Sequence, residues 1–143
     1  YFYWIHRFLH IPFLYKHVHA LHHRNINVGP WSGLSMHPVE HLIFLGSVMI
    51  HWIIAAHPVH ILFHLQYYAL TAATTHTGFE GVAVKDENRL ALGRFHHQMH
   101  HRYFECNYGS LEIPWDKFFG SFHDGTVEAD KRMKERRIRM MGN

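Results

Sequence analysis

The residues of this chain with the clearest chemical potential are its histidines, which make up 18 of its 143 residues. Eight of them fall in one H-x-x-x-H motif and two H-x-x-H-H motifs: His6 and His10; His19, His22 and His23; His97, His100 and His101. Residues three and four apart lie on one face of a helix. Each motif therefore predicts a helix whose imidazoles point in nearly one direction.

The chemistry that suits this pattern is the binding of transition metals. Neutral imidazole is a good ligand for iron, zinc and copper, whereas magnesium and calcium prefer oxygen. Eight ligands are too many for one tetrahedral zinc ion, which takes four. They suit two metal ions with about four ligands each, which leaves coordination positions open for a small molecule. Metal-sequestering histidine tracts have low complexity, and these motifs lie instead in aromatic, varied sequence.

A separate motif, H-x-x-E-H at residues 37–41, matches the signature of a class of metalloproteases. That signature needs both histidines and the glutamate on a regular helix. Pro38 favours the first turn of a helix and so places His37 at the helix start. The protease interpretation would also leave the eight better-organised histidines unexplained, so it is not favoured.

The elements that must position the histidines read as helices. The pattern predicts helices over residues 1–10, 14–24 and 90–103, a loop over 25–35 and a helix that starts at His37-Pro38. A loop over 107–114, a helix over 115–122, a turn at 123–125 and a basic terminal helix follow. No segment shows a strand pattern strong enough to assign, so the predicted class is all-α.

Composition narrows the class of protein further. Charged residues make up 17% of the chain, against roughly a quarter in soluble domains. The apolar content of 48% and aromatic content of 15% exclude intrinsic disorder. The only cysteine, Cys106, excludes an intramolecular disulfide. We expect one domain over residues 1–143, preceded in the complete protein by an N-terminal portion that this chain lacks.

One long stretch, residues 41–79, contains no Asp, Glu, Lys or Arg. Its apolar part, residues 42–73, is interrupted at His57-Pro58. Each half is too short to cross a hydrocarbon core of about 30 Å upright. The segment is therefore interpreted as two short tilted membrane helices or as a hairpin that dips into the bilayer. A buried hairpin of a soluble protein is the alternative.

With its three histidine motifs, the chain resembles the sterol desaturase and fatty acid hydroxylase superfamily. The resemblance covers essentially the whole chain and is greatest to lathosterol oxidase-like and bacterial sterol desaturase-like members. Beyond the histidines it rests on five short phrases: Leu14-Tyr15-Lys16, His37-Pro38, His76-Thr77-Gly78, Asn107-Tyr108-Gly109, and Trp115-Asp116 to Phe119-Gly120.

The resemblance implies a membrane-embedded, all-α protein with a di-iron site on helices at the cytosolic side, and N-terminal transmembrane helices that this chain lacks. It implies nine ligands, which are His6, His10, His19, His22, His23, His76, His97, His100 and His101. His96 and His37 are candidates for a second shell around the metal. Zinc is a possible substitute for iron, because imidazole sites accept it.

The implied activity is an oxidoreductase that uses dioxygen and external electrons to hydroxylate or desaturate a lipid C–H bond. A sterol or fatty-acyl substrate is expected, with a carotenoid or an alkyl glycerol ether as the alternative. A membrane protein that binds or transports metal without oxygen chemistry is the non-enzymatic alternative. The ligands do not distinguish hydroxylation from desaturation.

The implied partners are a lipid, the bilayer of a bacterial inner membrane or the endoplasmic reticulum, and an electron donor. The chain has no dinucleotide, haem or iron–sulfur motif, so a cytochrome b5-like protein or a ferredoxin supplied by NAD(P)H is expected. Basic residues in segment 131–139, within the C-terminal tail of residues 127–143, can dock that donor or the lipid surface. No nucleic-acid partner is expected.

The other histidines and the aromatic residues receive structural expectations. His51, His57, His60 and His64 are expected to have interfacial or helix-packing roles, and His17 and His123 are expected to be exposed. Arg24 and Arg102 are candidates for ion pairs with Glu80 or Glu105. Packing is expected for most aromatic residues that can also form an interfacial belt: Tyr1, Tyr3, Trp4, Tyr15, Trp31, Tyr67 and Tyr68.

Overall fold

The computed structural model describes residues 1–77, 81–83, 89–91, 94–110 and 113–141. Helices dominate this part of the chain, which agrees with the predicted all-α class. The α-helices are α1 (Phe2–Leu9), α2 (Pro12–Leu14), α3 (Ala20–His23), α4 (Pro38–Leu45), α5 (Ile50–Ile53), α6 (Pro58–Thr75), α7 (Arg94–Tyr103), α8 (Trp115–Phe118) and α9 (Val127–Met141). A π-helix covers Tyr15–His19, and 3₁₀-helices cover Pro30–Leu34 and Gly46–Met49.

The interior of the described part is built around histidine rather than around aliphatic side chains. Ten of the described histidines are buried. The apolar clusters beside them are small: Leu9, Val18 and Phe44 form one, and Met99, Cys106 and Met133 form the other. Since burying so many polar rings costs free energy unless they gain partners, the fold must provide those partners.

The first two histidine motifs lie on α1 and on the helical segment from α2 to α3, close to the predicted ranges. Pro12 begins α2, where its missing N–H costs no hydrogen bond. The Ala20 amide bonds to the Tyr15 carbonyl, five residues back. This π-helical turn widens the helix immediately before the first H-x-x-H-H motif, and such turns occur often at functional sites.

The apolar segment folds as a helical hairpin interrupted where the sequence predicted. The two helices α4 and α6 both start at a His-Pro pair, and the Nδ1 atoms of His37 and His57 accept hydrogen bonds of 3.2 Å from the amides of Val39 and Val59. The predicted helix start at Pro38 and the break at Pro58 are thus confirmed. Among the residues described, no helix combines the length and apolar character needed to cross a membrane.

One element was not predicted. Strands β1 (Gly81–Ala83) and β2 (Arg89–Ala91) form a short antiparallel pair in which Val82 is opposite Leu90. The helix predicted over residues 90–103 therefore starts later, at Arg94. Strands of three residues are too short to show the alternation by which a sequence reveals a strand.

The C-terminal region folds back on the rest of the chain. Helix α8 ends earlier than predicted, before Gly120, whose φ of 65° suits a glycine after a helix. The predicted exposure of His123 is wrong, because its ring is buried against Tyr103 at 4.6 Å and its Nε2 lies 2.9 Å from an Asp130 oxygen. The predicted exposure of His17 is confirmed.

Candidate metal centre

The structure gathers the nine predicted ligands into two adjacent groups. Within each group, one ligand atom from every residue lies within 4.8 Å of the others. The five-histidine group consists of His6, His10, His19, His23 and His100. The four-histidine group consists of His22, His76, His97 and His101.

The two H-x-x-H-H motifs exchange their middle histidines. His19 and His23 lie in the five-histidine group, and His22 between them lies in the four-histidine group. Reciprocally, His97 and His101 lie in the four-histidine group while His100 lies in the other. On a helix, the residue four positions after the first lies about 40° to one side of it, as His23 does from His19. The residue three positions after the first, here His22, lies about 60° to the other side. The histidines of each motif are therefore divided between the two groups, and the prediction that each motif points in nearly one direction is wrong.

Ring nitrogens within each group approach one another closely. In the five-histidine group, Nε2 of His23 lies 3.0 Å from Nε2 of both His19 and His100. In the four-histidine group, Nε2 of His97 lies 3.0 Å from Nε2 of both His76 and His101. Ligands that are about 2.1 Å from one ion at angles of 90° to 110° have nitrogens about 3.0 to 3.4 Å apart. The separations are therefore those of neighbouring ligands on a shared ion.

The opposite nitrogens show which ring atoms carry hydrogen in the five-histidine group. Nδ1 of His6 lies 2.7 Å from the Tyr108 carbonyl, and Nδ1 of His100 lies 2.6 Å from the Cys106 carbonyl. A carbonyl only accepts, so both Nδ1 atoms donate, and in a neutral ring the Nε2 then carries a lone pair.

The four-histidine group uses the same device. Nδ1 of His76 donates to the Ala72 carbonyl over 2.7 Å, and Nδ1 of His22 donates to the Ser35 carbonyl over 3.3 Å. Lone pairs that face one another at 3 Å repel unless a cation lies between them. The donor set of both groups therefore fits transition-metal ions.

Burial keeps these imidazoles in the form that binds metal. Desolvation lowers the pKa of His19 to about 3, that of His76 to about 4 and that of His101 to about 2. The other six rings also have a lowered pKa, chiefly through desolvation. All nine rings are thus neutral near pH 7, and neutral imidazole is the ligating species.

A short loop after α7 holds the two carbonyls that accept hydrogen bonds from the five-histidine group, those of Cys106 and Tyr108. Asn107, with a φ of 52°, donates from its side chain to the carbonyls of His96 and His123. The buried Asp116 carboxylate accepts from the amides of Tyr108 and Gly109. These hydrogen bonds fix the conformation of the loop. In the sequence, only the segment Asn107-Tyr108-Gly109, one of those on which the family resemblance rests, pointed to it.

A glycine allows the close approach that places His76. Gly33, in the 3₁₀-helix Pro30–Leu34, packs directly on the Ala72 carbonyl, and a Cβ there would collide with it and lie 2.9 Å from His76 Nδ1. No signal in the sequence marked Gly33, because its partner lies far along the chain.

Glu40, the glutamate of the disfavoured protease motif, lies beside the five-histidine group. Its carboxylate is fully buried and its Oε1 lies 2.6 Å from Nδ1 of His19. Burial raises the pKa of Glu40 to about 8. The two histidines of that motif lie elsewhere, since His37 caps α4 and Nε2 of His41 contacts the Leu34 carbonyl at 3.1 Å.

The candidates for a second shell lie outside both groups. Nε2 of His96 is 3.7 Å from a carboxylate oxygen of Asp116. His37 contacts the Val39 amide at the start of α4. The structure thus connects His96 to the loop that supports the ligands, and places His37 in a capping role.

Histidines in the apolar hairpin pack its two halves together. Nδ1 of His64 lies 3.2 Å from Nε2 of His51, and Nε2 of His64 lies 2.9 Å from Oγ of Ser47. These contacts agree with the predicted packing role. His60 is exposed.

The predicted ion pairs are not found in the part of the chain that the structure describes. Neither Arg24 nor Arg102 pairs with Glu105, which instead accepts from the Tyr108 hydroxyl. Arg102 lies over the Tyr103 ring. The other predicted acid, Glu80, lies outside the described residues. The candidate belt aromatics divide, since Tyr3 is buried while Trp31 is exposed.

One side of the five-histidine group opens to a cavity. His10 is the only one of the nine predicted ligands that is partly exposed, and it lines an open cavity of about 450 Å³ with Pro12, Tyr15, Tyr103, Phe104 and Glu105. The walls are largely aromatic and apolar. A small molecule or an apolar ligand can approach the five-histidine group here.

Comparison with known proteins bears directly on this arrangement. The family model described as fatty acid hydroxylase matches residues 1–121. Over 129 residues the chain is 37% identical to a lathosterol oxidase of Rattus norvegicus, and the alignment covers 88% of this chain and 42% of the relative. Over 130 residues it is 32% identical to a Delta(7)-sterol 5(6)-desaturase of Gibberella zeae, covering 90% of this chain and 40% of the relative.

The chain therefore spans less than half the length of these curated relatives. A search of solved structures gave no match. The matched residues 1–121 include all nine histidines of the two groups. On the match to its family model, this chain belongs to the fatty acid hydroxylase family.

Proposed function

We propose that this chain forms the metal-binding part of a membrane di-iron oxidoreductase. It would use dioxygen and external electrons to hydroxylate or desaturate a lipid C–H bond. The observation that carries the proposal is the convergence of nine neutral imidazoles, eight of them buried, on two adjacent centres. The names of the relatives, lathosterol oxidase and Delta(7)-sterol 5(6)-desaturase, favour a sterol as the substrate.

The five-histidine and four-histidine groups would each hold one iron ion. Bound iron with dioxygen supplies the oxidising power that breaks an unactivated C–H bond, which protein side chains cannot supply. Since each reaction with dioxygen also consumes two electrons and two protons, a redox partner is required. Imidazole sites accept zinc as well, so zinc can replace iron in a preparation.

The residues of the chain itself would orient the ligands and exclude water. The carbonyls of Tyr108, Cys106 and Ala72 accept from ligand Nδ1 atoms and fix each ring with Nε2 toward the metal. Burial of eight ligands keeps bulk water away. The cavity beside the ninth, His10, provides a route of approach for the lipid or for dioxygen.

The apolar hairpin of residues 42–73 is proposed to lie in the membrane. It carries large apolar side chains at high exposure, including Trp52 and Ile53 at 83% and Phe63 at 68%. Many large apolar side chains exposed on one segment are typical of a membrane or protein interaction site. The family's sterol-modifying relatives support the bilayer as the partner.

The electron donor is proposed to be a cytochrome b5-like protein or a ferredoxin that docks on α9. Lys131, Arg132 and Lys134 are exposed on this helix. A basic face attracts an acidic partner over roughly one Debye length. Replacing these three residues by glutamine should raise the donor concentration needed for half-maximal turnover, and an unchanged value would count against docking.

The test is lipid profiling of a host with and without the complete gene. We expect a substrate to accumulate in the deletion, and a product that carries either a new hydroxyl group or a new double bond to disappear. Restoring the gene with His100→Ala should fail to restore the product, whereas the exposed control His60→Ala should restore it. An unchanged lipid profile in the deletion, with metal bound to the purified protein, would favour metal binding or transport instead.

A further inference from the structure

Glu40 is a buried acid whose role the proposed reaction leaves unassigned. Its side chain has no exposure to solvent, and its Oε1 lies 2.6 Å from Nδ1 of His19. The second carboxylate oxygen, Oε2, is buried without a hydrogen-bond partner. The charged form of a buried carboxylate is costly, and a positive charge nearby would stabilise that form.

The position of that charge follows from the two nitrogens of His19. Nδ1 faces Glu40, while Nε2 faces His6 at 3.2 Å and His23 at 3.0 Å inside the five-histidine group. A cation held at Nε2 lies across the ring from the carboxylate. Glu40 itself is not among the residues whose ligand atoms meet in either group, and its contact with the five-histidine group is made through His19.

We propose that Glu40 is a positioning residue that makes the five-histidine group the tighter of the two metal sites. Its carboxylate holds the hydrogen of His19 on Nδ1, which directs the Nε2 lone pair at the metal, and it adds a negative charge near that ion. This inference rests on the proposed function, because it requires both groups to bind metal.

The contrast with the other ligands supports this role. The Nδ1 atoms of His6, His100 and His76 donate to neutral backbone carbonyls. His22 in the four-histidine group donates over a longer 3.3 Å to the Ser35 carbonyl. Carboxylate partners make a ligating histidine more basic than neutral acceptors do. Among the ligand contacts described, a carboxylate therefore supports only the five-histidine group.

The test is Co²⁺ binding to the complete protein, because the visible absorption of bound Co²⁺ reports the number and geometry of the ligands around the ion. Loaded protein is titrated with a competing chelator while Co²⁺ per chain and absorption are followed. We expect two steps of release, the four-histidine group losing its ion first. In Glu40→Ala, the later step should move to about 10- to 100-fold lower chelator concentration, with a shifted absorption band, while the earlier step stays in place.

Two further variants keep the result decisive. Glu40→Gln preserves the volume and an amide oxygen that can accept from Nδ1, so it should fold and show a smaller displacement of the same step. Glu128→Gln removes one exposed charge from α9 and should move neither step.

The outcomes separate the inference from the proposed function. If both steps stay within twofold of the wild-type values in Glu40→Ala and Glu40→Gln, or if both steps move together, the positioning role is overturned. If the wild-type protein binds no Co²⁺ and no Fe²⁺, the proposed function fails instead.

Discussion

The five-histidine group and the four-histidine group are built from the same motif but differ in their supports. Each takes two histidines four residues apart from one H-x-x-H-H helix and the middle histidine of the other. The five-histidine group adds α1, a carboxylate and an anchored loop, while the four-histidine group adds His76 at the end of α6. Two centres that share helices can thus be given different environments by elements outside the motifs.

The largest effects on metal content and turnover should come from replacing the last histidine of each H-x-x-H-H motif. His23→Ala removes a ligand from the five-histidine group and His101→Ala removes one from the four-histidine group. Each variant should lose about one of the two bound ions. Turnover should fall by more than the roughly 10- to 100-fold loss that is typical when a hydrogen-bond partner of a metal ligand is removed. Metal analysis and lipid product measurement test this. Loss of both ions in both variants would show that the groups are not independent.

Acid should destabilise the metal-free protein steeply. His76, His19 and His101 have folded-state pKa values of about 4, 3 and 2 because burial disfavours their charged forms. Unfolded, these side chains take up protons near pH 6.5. Below that pH the unfolded state binds more protons, so the free energy of unfolding falls by about 1.4 kcal/mol per pH unit for each such ring.

Denaturant unfolding at pH 7, 6 and 5 measures this slope. His76→Gln should reduce it by about one proton, or about 1.4 kcal/mol per pH unit. A stability that does not change over this range would contradict the burial of neutral rings in both groups.

Adding a methyl group at Gly33 should damage the four-histidine group selectively. The new Cβ would collide with the Ala72 carbonyl that accepts from His76. We expect Gly33→Ala to cost about 3 kcal/mol and to weaken the earlier step of metal release. The matched control is Gly29→Ala, since nothing lies within 4 Å of a Cβ there. Equal effects of the two variants would refute the close-packing argument.

Loosening the loop after α7 should damage the five-histidine group instead. Asp116→Asn weakens the acceptor that holds the Tyr108 and Gly109 amides, and through Tyr108 the orientation of His6. A loss of about 2 kcal/mol in the free energy of unfolding is expected, together with weaker binding at the later metal-release step. The exposed Glu135→Gln is the control. If only the earlier step of metal release weakens, the loop supports the four-histidine group and this prediction is wrong.

The smallest effect should come from His96, which lies beside the loop rather than in either group. Its Nε2 is 3.7 Å from the Asp116 carboxylate, so the contact is too long for a direct hydrogen bond. His96→Gln should leave two bound ions per chain and cost about 1 kcal/mol or less. Loss of one ion in this variant would add His96 to the ligands.

Much of the helical framework could be predicted because it depends on local rules. The helix starts at Pro38 and Pro58 follow from the fixed φ of proline and its missing N–H. The strand Arg89–Ala91 was missed since its pairing with Gly81–Ala83 is a contact between separate segments. His123 was misjudged for the same reason, because the sequence does not show that α9 covers it.

The sequence by itself determined which histidines share a helix, since spacing along a helix is a local property. The sequence also contains the His-Pro pair at which each of the two hairpin helices begins. Only the tertiary structure decided that the motifs exchange their middle histidines, that Glu40 lies against His19, and that Gly33 lies under His76. These contacts depend on the angles and distances at which helices cross, which packing sets among residues far apart in the chain.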